Sequence, residues 1–284
     1  GLDLPFSEAK EIAKKYPNIR GSIMIEGIEL AERHGLASLI LNSTIKELKK
    51  TVDMGIPPTV ILPGIQDTVQ HASIISGYDE VEKTIMHYFP HPDTVGAIPE
   101  QKFDQQWAED GRLMLLVAPP DILSKVNPEN KEMEKSNRLC FISERLRLQG
   151  KSEDAINSLK KAIEISKNNF TALCLLGGIL NDQNSSDAVQ YYQKSIEYNK
   201  QCYLAYRGLG NYYLKVKDYP NAEMYYLKAI EINPNRFGPI YKNRGLARLE
   251  QNKKTIAKED FTTYLTQMPN AADRRSILEA IKEL

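Results

Sequence analysis

Imidazoles and thiols are the side chains best suited to hold a metal or attack a carbonyl near neutral pH. In this 284-residue chain the two types are segregated. All four histidines, His34, His71, His87 and His91, precede residue 92, and all three cysteines, Cys140, Cys174 and Cys202, follow residue 139. His71, His87 and His91 fall on or beside two strands of one hairpin, where three facing imidazoles would suit zinc. No cysteine or closely spaced carboxylate reinforces them. They read as ordinary half-exposed histidines, so no metal and no cofactor is expected. An odd set of cysteines in helical sequence reads as reduced core or groove thiols, not a disulfide frame. Gly55-Ile56-Pro57-Pro58 is a helix stop and strand entry, not a phosphate loop. Gly177-Gly178 and Gly208/Gly210 follow no strand and read as helix-packing glycines, not a dinucleotide fingerprint.

The composition has room for two folded parts. Apolar residues make up 42% of the chain, which suits globular cores. Basic and acidic side chains balance at 37 each, but unevenly along the chain: 12 against 18 up to residue 125, and 25 against 19 after it. The split suits docking of the halves or a mildly basic second half, and is too small to argue for nucleic acid. No apolar run approaches the roughly 20 residues that span a bilayer. The opening GLDLPFSEAK is not a signal peptide. With three unpaired cysteines, the compartment expected is the cytoplasm.

The second half repeats. Ala155, Ala188, Ala222 and Ala257 occupy one equivalent position, followed four residues later by Leu159, Tyr192, Tyr226 and Phe261. The third unit carries the fullest set: Tyr206, Leu209, Gly210, Tyr213, Ala222, Tyr226, Ala229 and Pro234. Small residues let two helices approach, and bulky ones fill the space between units, so each helix pair depends on its neighbours. This pattern resembles the tetratricopeptide (TPR) repeat. The register gives units 136–169, 170–202, 203–236 and 238–271, with residue 237 as an insertion and 272–284 as a capping helix. The resemblance implies an all-α solenoid that binds a protein or peptide along its inner helices. Candidates for the groove are Arg207, Asn211 and Lys215 in the third unit, and Lys242, Asn243 and Leu246 in the fourth. Arg207, Asn211 and Asn243 match part of the carboxylate clamp of TPR domains. A cation with two amides can hold a carboxylate or acidic segment by charge-assisted hydrogen bonds. The clamp's further basic pair has no match, because Arg274 and Arg275 are out of register. A solvated groove wall is the plainer reading of the same residues.

The first half reads as α+β. Helices are expected over 7–16, 23–34 and 43–54, and strands over 36–41, 58–62, 71–78, 83–89 and 113–117, with a hairpin turn at Asp79–Glu82. Phe103 and Trp107 form a helical pair packing on the sheet. SKVNPENKEMEK reads as a polar linker and fills nearly all of the linker expected over 123–135.

The order GIELAERHGLASLIL, STIKELKKTVDMGIPPTVIL, HASIISGYD and FDQQWAEDGRLMLLVAPP resembles the bacteriocin-processing, double-glycine-leader cysteine peptidases, a papain-like family, over roughly 1–120. The resemblance assigns His71 to the general base, and puts the imidazole-orienting Asp where Phe89-Pro90 stands. Asp93 is the substitute, if its loop folds back. The nucleophile-bearing helix is expected before Gly1, since 1–139 has no cysteine. The chain is thus expected to be multidomain. A catalytically incomplete papain-like domain at 1–122 precedes a TPR solenoid that binds a protein or peptide. The alternative is an active peptidase whose nucleophile lies upstream and whose repeats recruit substrate.

Overall fold

The run Leu113–Ala118 has six apolar residues and no charge, as a strand buried on both faces requires. In the computed structural model it is the strand β6, and its side chains part by alternation. Met114, Leu116 and Ala118 enter one core with Leu48, Val60, Ile75, Phe103 and Trp107. Leu113 and Leu115 enter a second with Ile25, Ile28, Ile40 and Phe141. The structure describes residues 6–16, 24–64, 70–89, 94–126 and 130–284.

The sheet has the order β1-β6-β2-β3-β4-β5. Its other strands are β1 (Ala37–Asn42), β2 (Thr59–Pro63), β3 (Gln70–Asp79), β4 (Thr84–Phe89) and β5 (Thr94–Pro99). The pairs β1/β6, β2/β6, β3/β4 and β4/β5 are antiparallel. Helices α3 (Ile45–Asp53) and α4 (Glu100–Glu109) bring Leu48, Phe103 and Trp107 to the first core. Thr44 caps α3 by accepting from the Glu47 N–H at 3.2 Å. Trp107 buries its whole ring and donates its indole N–H to the Leu113 carbonyl at 2.9 Å. The second core is covered by α2 (Met24–Arg33), which α1 (Phe6–Lys14) abuts, and by α6 (Lys131–Leu148), the first repeat helix.

Helix α6 also guards the sheet. β1 is an edge strand, and an unpaired edge invites foreign strands. Asn137 donates to the Ile40 carbonyl at 3.1 Å and to Asn42 Oδ1 at 2.9 Å, while Glu134 takes the Ile40 N–H. Asn169 donates to Asn137 Oδ1 at 3.0 Å and to Ser136 Oγ at 2.8 Å, and its own Oδ1 caps the next helix at Ala172. Arg138–Glu32 and Arg145–Glu29 ion pairs, both 2.6 Å, flank this plug.

The expected linker at 123–135 therefore needs correction. A short helix α5 (Pro120–Leu123) ends at its first residue, and α6 takes up its last five, from Lys131 on. Asn130 caps α6 by accepting from Met133 N–H, which starts the helix before residue 136. Two further strand details differ from expectation. β5 is not among the expected strands; its ladder with β4 (Tyr88↔Val95, His87↔Gly96) supplies the order that propensity does not. His71 and His87 do not face each other either. His87 pairs with Ile75, a register set by the Asp79↔Thr84 closing pair and a bulge between Ile75 and Gly77.

The other helices are α7 (Ser152–Ile165), α8 (Phe170–Asp182), α9 (Ala188–Tyr198), α10 (Tyr203–Lys215), α11 (Tyr219–Ile232), α12 (Pro239–Leu249), α13 (Lys254–Gln267) and α14 (Arg274–Glu283). Two compact units result. One runs to Leu62 and from Ala72 to Leu176, so it takes in the sheet, α6, α7 and the start of α8. The other holds Gly177–Leu284 and the residues flanking the β2–β3 connection, Pro63 and His71 among them.

The second unit is built by aromatic rings seated on glycines. Tyr192 packs over Gly177 and Gly208, Tyr226 over Gly210, and Phe261 over Gly245. A methyl group at Gly210 would come within 2.5 Å of the Tyr226 ring. The turn inside each of the four helix pairs carries one left-handed residue: Gly150, Asn184, Lys217 and Asn252. A buried ionic network locks the last pair. Arg244 grips Asp260 at 2.6 Å, and Arg248 bridges Asp260 at 3.0 Å and Glu223 at 2.9 Å.

Candidate functional site

Two places hold the chemistry-bearing residues. In the sheet, His71 is the second residue of β3 and half-buried. Asp93 lies outside the described residues, so its position against the imidazole does too. His87 is buried on β4 with its Nδ1 3.1 Å from Ser73 Oγ, and burial lowers its pKa below the usual histidine value. The thiols offer this region nothing. Cys140, Cys174 and Cys202 are all buried, and burial pushes the Cys140 pKa far up, away from the thiolate that attacks carbonyls. Among the described residues no group of three or more His, Cys, Asp or Glu is arranged to hold a metal ion.

The second place is the face of α10 and α12. Asn211 on α10 and Asn243 on α12 meet directly, with Asn243 Nδ2 donating to Asn211 Oδ1 at 3.4 Å. Tyr226, on α11, donates its hydroxyl to the same Oδ1 at 2.8 Å. Both bonds use the Asn211 carbonyl oxygen and not its amide N–H donors. Burial raises the Tyr226 pKa, so the phenol stays protonated and the amide stays pinned. Arg207, one turn before Asn211, lays its guanidinium over the Phe237 ring at 5.0 Å. Phe237 is the inserted residue between the third and fourth units, and here the insertion supplies the ring under a groove cation.

The remaining groove candidates are engaged differently. Lys215 donates to the Asn181 carbonyl at 2.7 Å and so ties α10 to the end of α8. Lys242 pairs with Asp273 at 2.6 Å and sits over the Tyr264 ring at 5.2 Å. Tyr264 in turn donates to the other oxygen of Asp273 at 2.6 Å. Lys242 and then the Tyr264 hydroxyl hold the Asp273 pKa below the ordinary aspartate value, while Tyr264 is pushed up to about 12, mainly by burial. Leu246 is 39% exposed and offers an apolar contact. Sequence reasoning passed over Asp273, Tyr264 and Phe237. The one signal for Phe237 was that it breaks the repeat length.

The tetratricopeptide repeat family matches residues 203–236, and a TPR repeat family matches residues 144–184. The helical half contains tetratricopeptide repeats. Solved structures similar to the chain include residues 41 to the end of MamA from Desulfovibrio magneticus RS-1, 21% identical, with a TM-score of 0.46 over 53% of this chain and 93% of that one. PilF of Pseudomonas aeruginosa is 22% identical, with a TM-score of 0.49 over 54% of this chain and 72% of that one. No curated protein matches the chain. Beside the TPR helices stands an antiparallel sheet with helices, to which neither family match extends. Among the described residues, no helix is long and apolar enough to cross a membrane.

Proposed function

We propose that this chain is a protein-binding TPR protein whose α10/α12 face grips a carboxylate of a peptide or protein partner. The Asn211–Asn243 contact supports this reading most directly, because it sets two carboxamides side by side one helical turn from the Arg207 guanidinium. Two amides and a planar cation are the donors a carboxylate needs, and charge-assisted bonds of this kind are the stronger class. Lys215 is tied to the Asn181 carbonyl, and Lys242 is held by Asp273 in this structure.

The test is fluorescence anisotropy of the full chain with labelled C-terminal peptides. Substituting Arg207→Ala is expected to weaken binding by roughly 10-fold or more, the loss of one charge-assisted contact. Peptides that bind equally well to both forms would remove Arg207 and the clamp from the account.

We read the sheet unit as a peptidase-like fold without its thiolate. Support comes from His71 at the start of β3 within an antiparallel sheet, and from the burial of all three thiols. The competing reading is a cysteine peptidase whose nucleophile is supplied by sequence upstream of residue 1, with the repeats recruiting substrate. An electrophilic peptide probe ending in two glycines separates them. Applied to the protein with the sequence upstream of residue 1 included, labelling of a sulfur beside His71 establishes the peptidase, and no labelling supports the binding protein.

A further inference from the structure

Asp273 occupies the N-cap position of α14, where an aspartate ordinarily accepts from the helix's first free N–H groups. It makes no such bond. Its carboxylate turns instead to Lys242 at 2.6 Å and to the Tyr264 hydroxyl at 2.6 Å. Lys242 directly precedes Asn243 on α12 and, in the repeat register, is the counterpart of Arg207 on α10. The pair is partly open to solvent, with the lysine 28% and the aspartate 35% exposed, so a competing carboxylate can reach the lysine. The N–H groups at the start of α14 offer the displaced carboxylate a second home.

We infer that Asp273 is an exchangeable internal ligand of Lys242, standing where a second carboxylate of the partner binds. The inference rests on the groove reading above and sharpens its ligand class. A partner with two carboxylates, one for Arg207 and the amides and one for Lys242, displaces Asp273, which then caps α14. A partner with a single carboxylate leaves the Lys242–Asp273 pair in place.

Two probes test this on the full chain: a fluorescein-labelled tetrapeptide of two alanines followed by two aspartates with a free C-terminus, and its all-alanine counterpart. Asp273→Asn keeps a good N-cap residue and removes the competing charge. It is expected to tighten the aspartate probe by about 3- to 10-fold, the value of one charged contact near a surface, and to leave the alanine probe unchanged. Adding Lys242→Gln should abolish the gain. Tyr264→Phe loosens Asp273 without touching its charge and should tighten the aspartate probe by a smaller factor. The inference is overturned if Asp273→Asn binds the aspartate probe no better than the parent, if it favours both probes alike, or if its gain survives Lys242→Gln. Should the parent bind and lose binding with Arg207→Ala while Asp273→Asn gains nothing, the groove reading stands and only this inference falls. Should no form bind either probe, both fall.

Discussion

The sheet unit and the helical unit solve the same burial problem by different means. In the helical unit each contact is local and recurrent: an aromatic on one helix sits on a glycine of a neighbour, as Tyr192, Tyr226 and Phe261 do. In the sheet unit the decisive contacts are distant in sequence. Asn137 reaches Ile40 and Asn42, about a hundred residues back, and β6 is inserted between β1 and β2. The repeat half therefore carries its architecture in every unit, as a one-dimensional stack must. The sheet half carries it in a few polar and β-pairing contacts used once. Phe237, which breaks the repeat length, and the Lys242–Asp273 pair are used once in the repeat half, as the polar contacts of the sheet half are.

The largest way to break this contrast is to attack the helical unit where it departs from local packing. Asp260→Ala leaves Arg244 buried without its counter-ion and takes one partner from Arg248. It is expected to cost about 3–5 kcal/mol, read by guanidinium chloride unfolding. Gly210→Ala tests the recurrent contact itself. Forcing a methyl group against the Tyr226 ring is expected to cost about 1–3 kcal/mol and to speed hydrogen exchange in α10 and α11. A smaller loss there would mean that the Tyr226 ring gives way easily.

The corresponding cut in the sheet unit is Asn137→Ala. It strips the Ile40 carbonyl and Asn169 of buried partners and is expected to cost about 1–3 kcal/mol. Exchange should rise in β1 and α6, and far less in α12 and α13. A uniform rise over both halves would contradict the separation drawn above.

Glu144 on α6 sharpens the comparison through pH. Burial raises its pKa to about 7, with Arg147 pulling back in the opposite direction. The unfolded carboxyl titrates near 4.5. The folded state thus holds a proton that the unfolded state has released between those values, and stability is lost as pH rises through that window. Glu144→Gln is expected to raise stability by about 1–2 kcal/mol at pH 8 and to change little at pH 4, as paired thermal melts would show. An equal effect at both pH values would assign the gain to packing.

The smallest expected effect comes from the repeat turns. Lys217 holds a left-handed backbone that its three counterparts give to Gly150, Asn184 and Asn252. Lys217→Gly is expected to be neutral or stabilising by up to about 1 kcal/mol in denaturant unfolding. A loss of stability would mean that the lysine side chain contributes more than its backbone costs.

How much could be read in advance follows the same division. Recurring Ala and aromatic positions made the helix pairs legible, because small-on-large packing must repeat wherever units stack. Most strands of the sheet were legible from alternation, and the Phe103–Trp107 pair from its spacing. β5 was not, since TVGAIP becomes a strand only through the ladder β4 provides. The role of Asn137 was hidden as well, because one Asn on a helix does not announce a strand edge. At the candidate site, Arg207, Asn211 and Asn243 could be named from register. The Lys242–Asp273–Tyr264 contact could not, because it joins three helices through residues whose types do not recur.

The most direct measurement of the central claim is calorimetric titration of the full chain with one acidic C-terminal peptide and its C-terminally amidated twin. The account predicts that amidation weakens binding by about 10-fold or more, since it removes the carboxylate that the two amides and the guanidinium are arranged to hold. Equal affinities for the acid and the amide would contradict it.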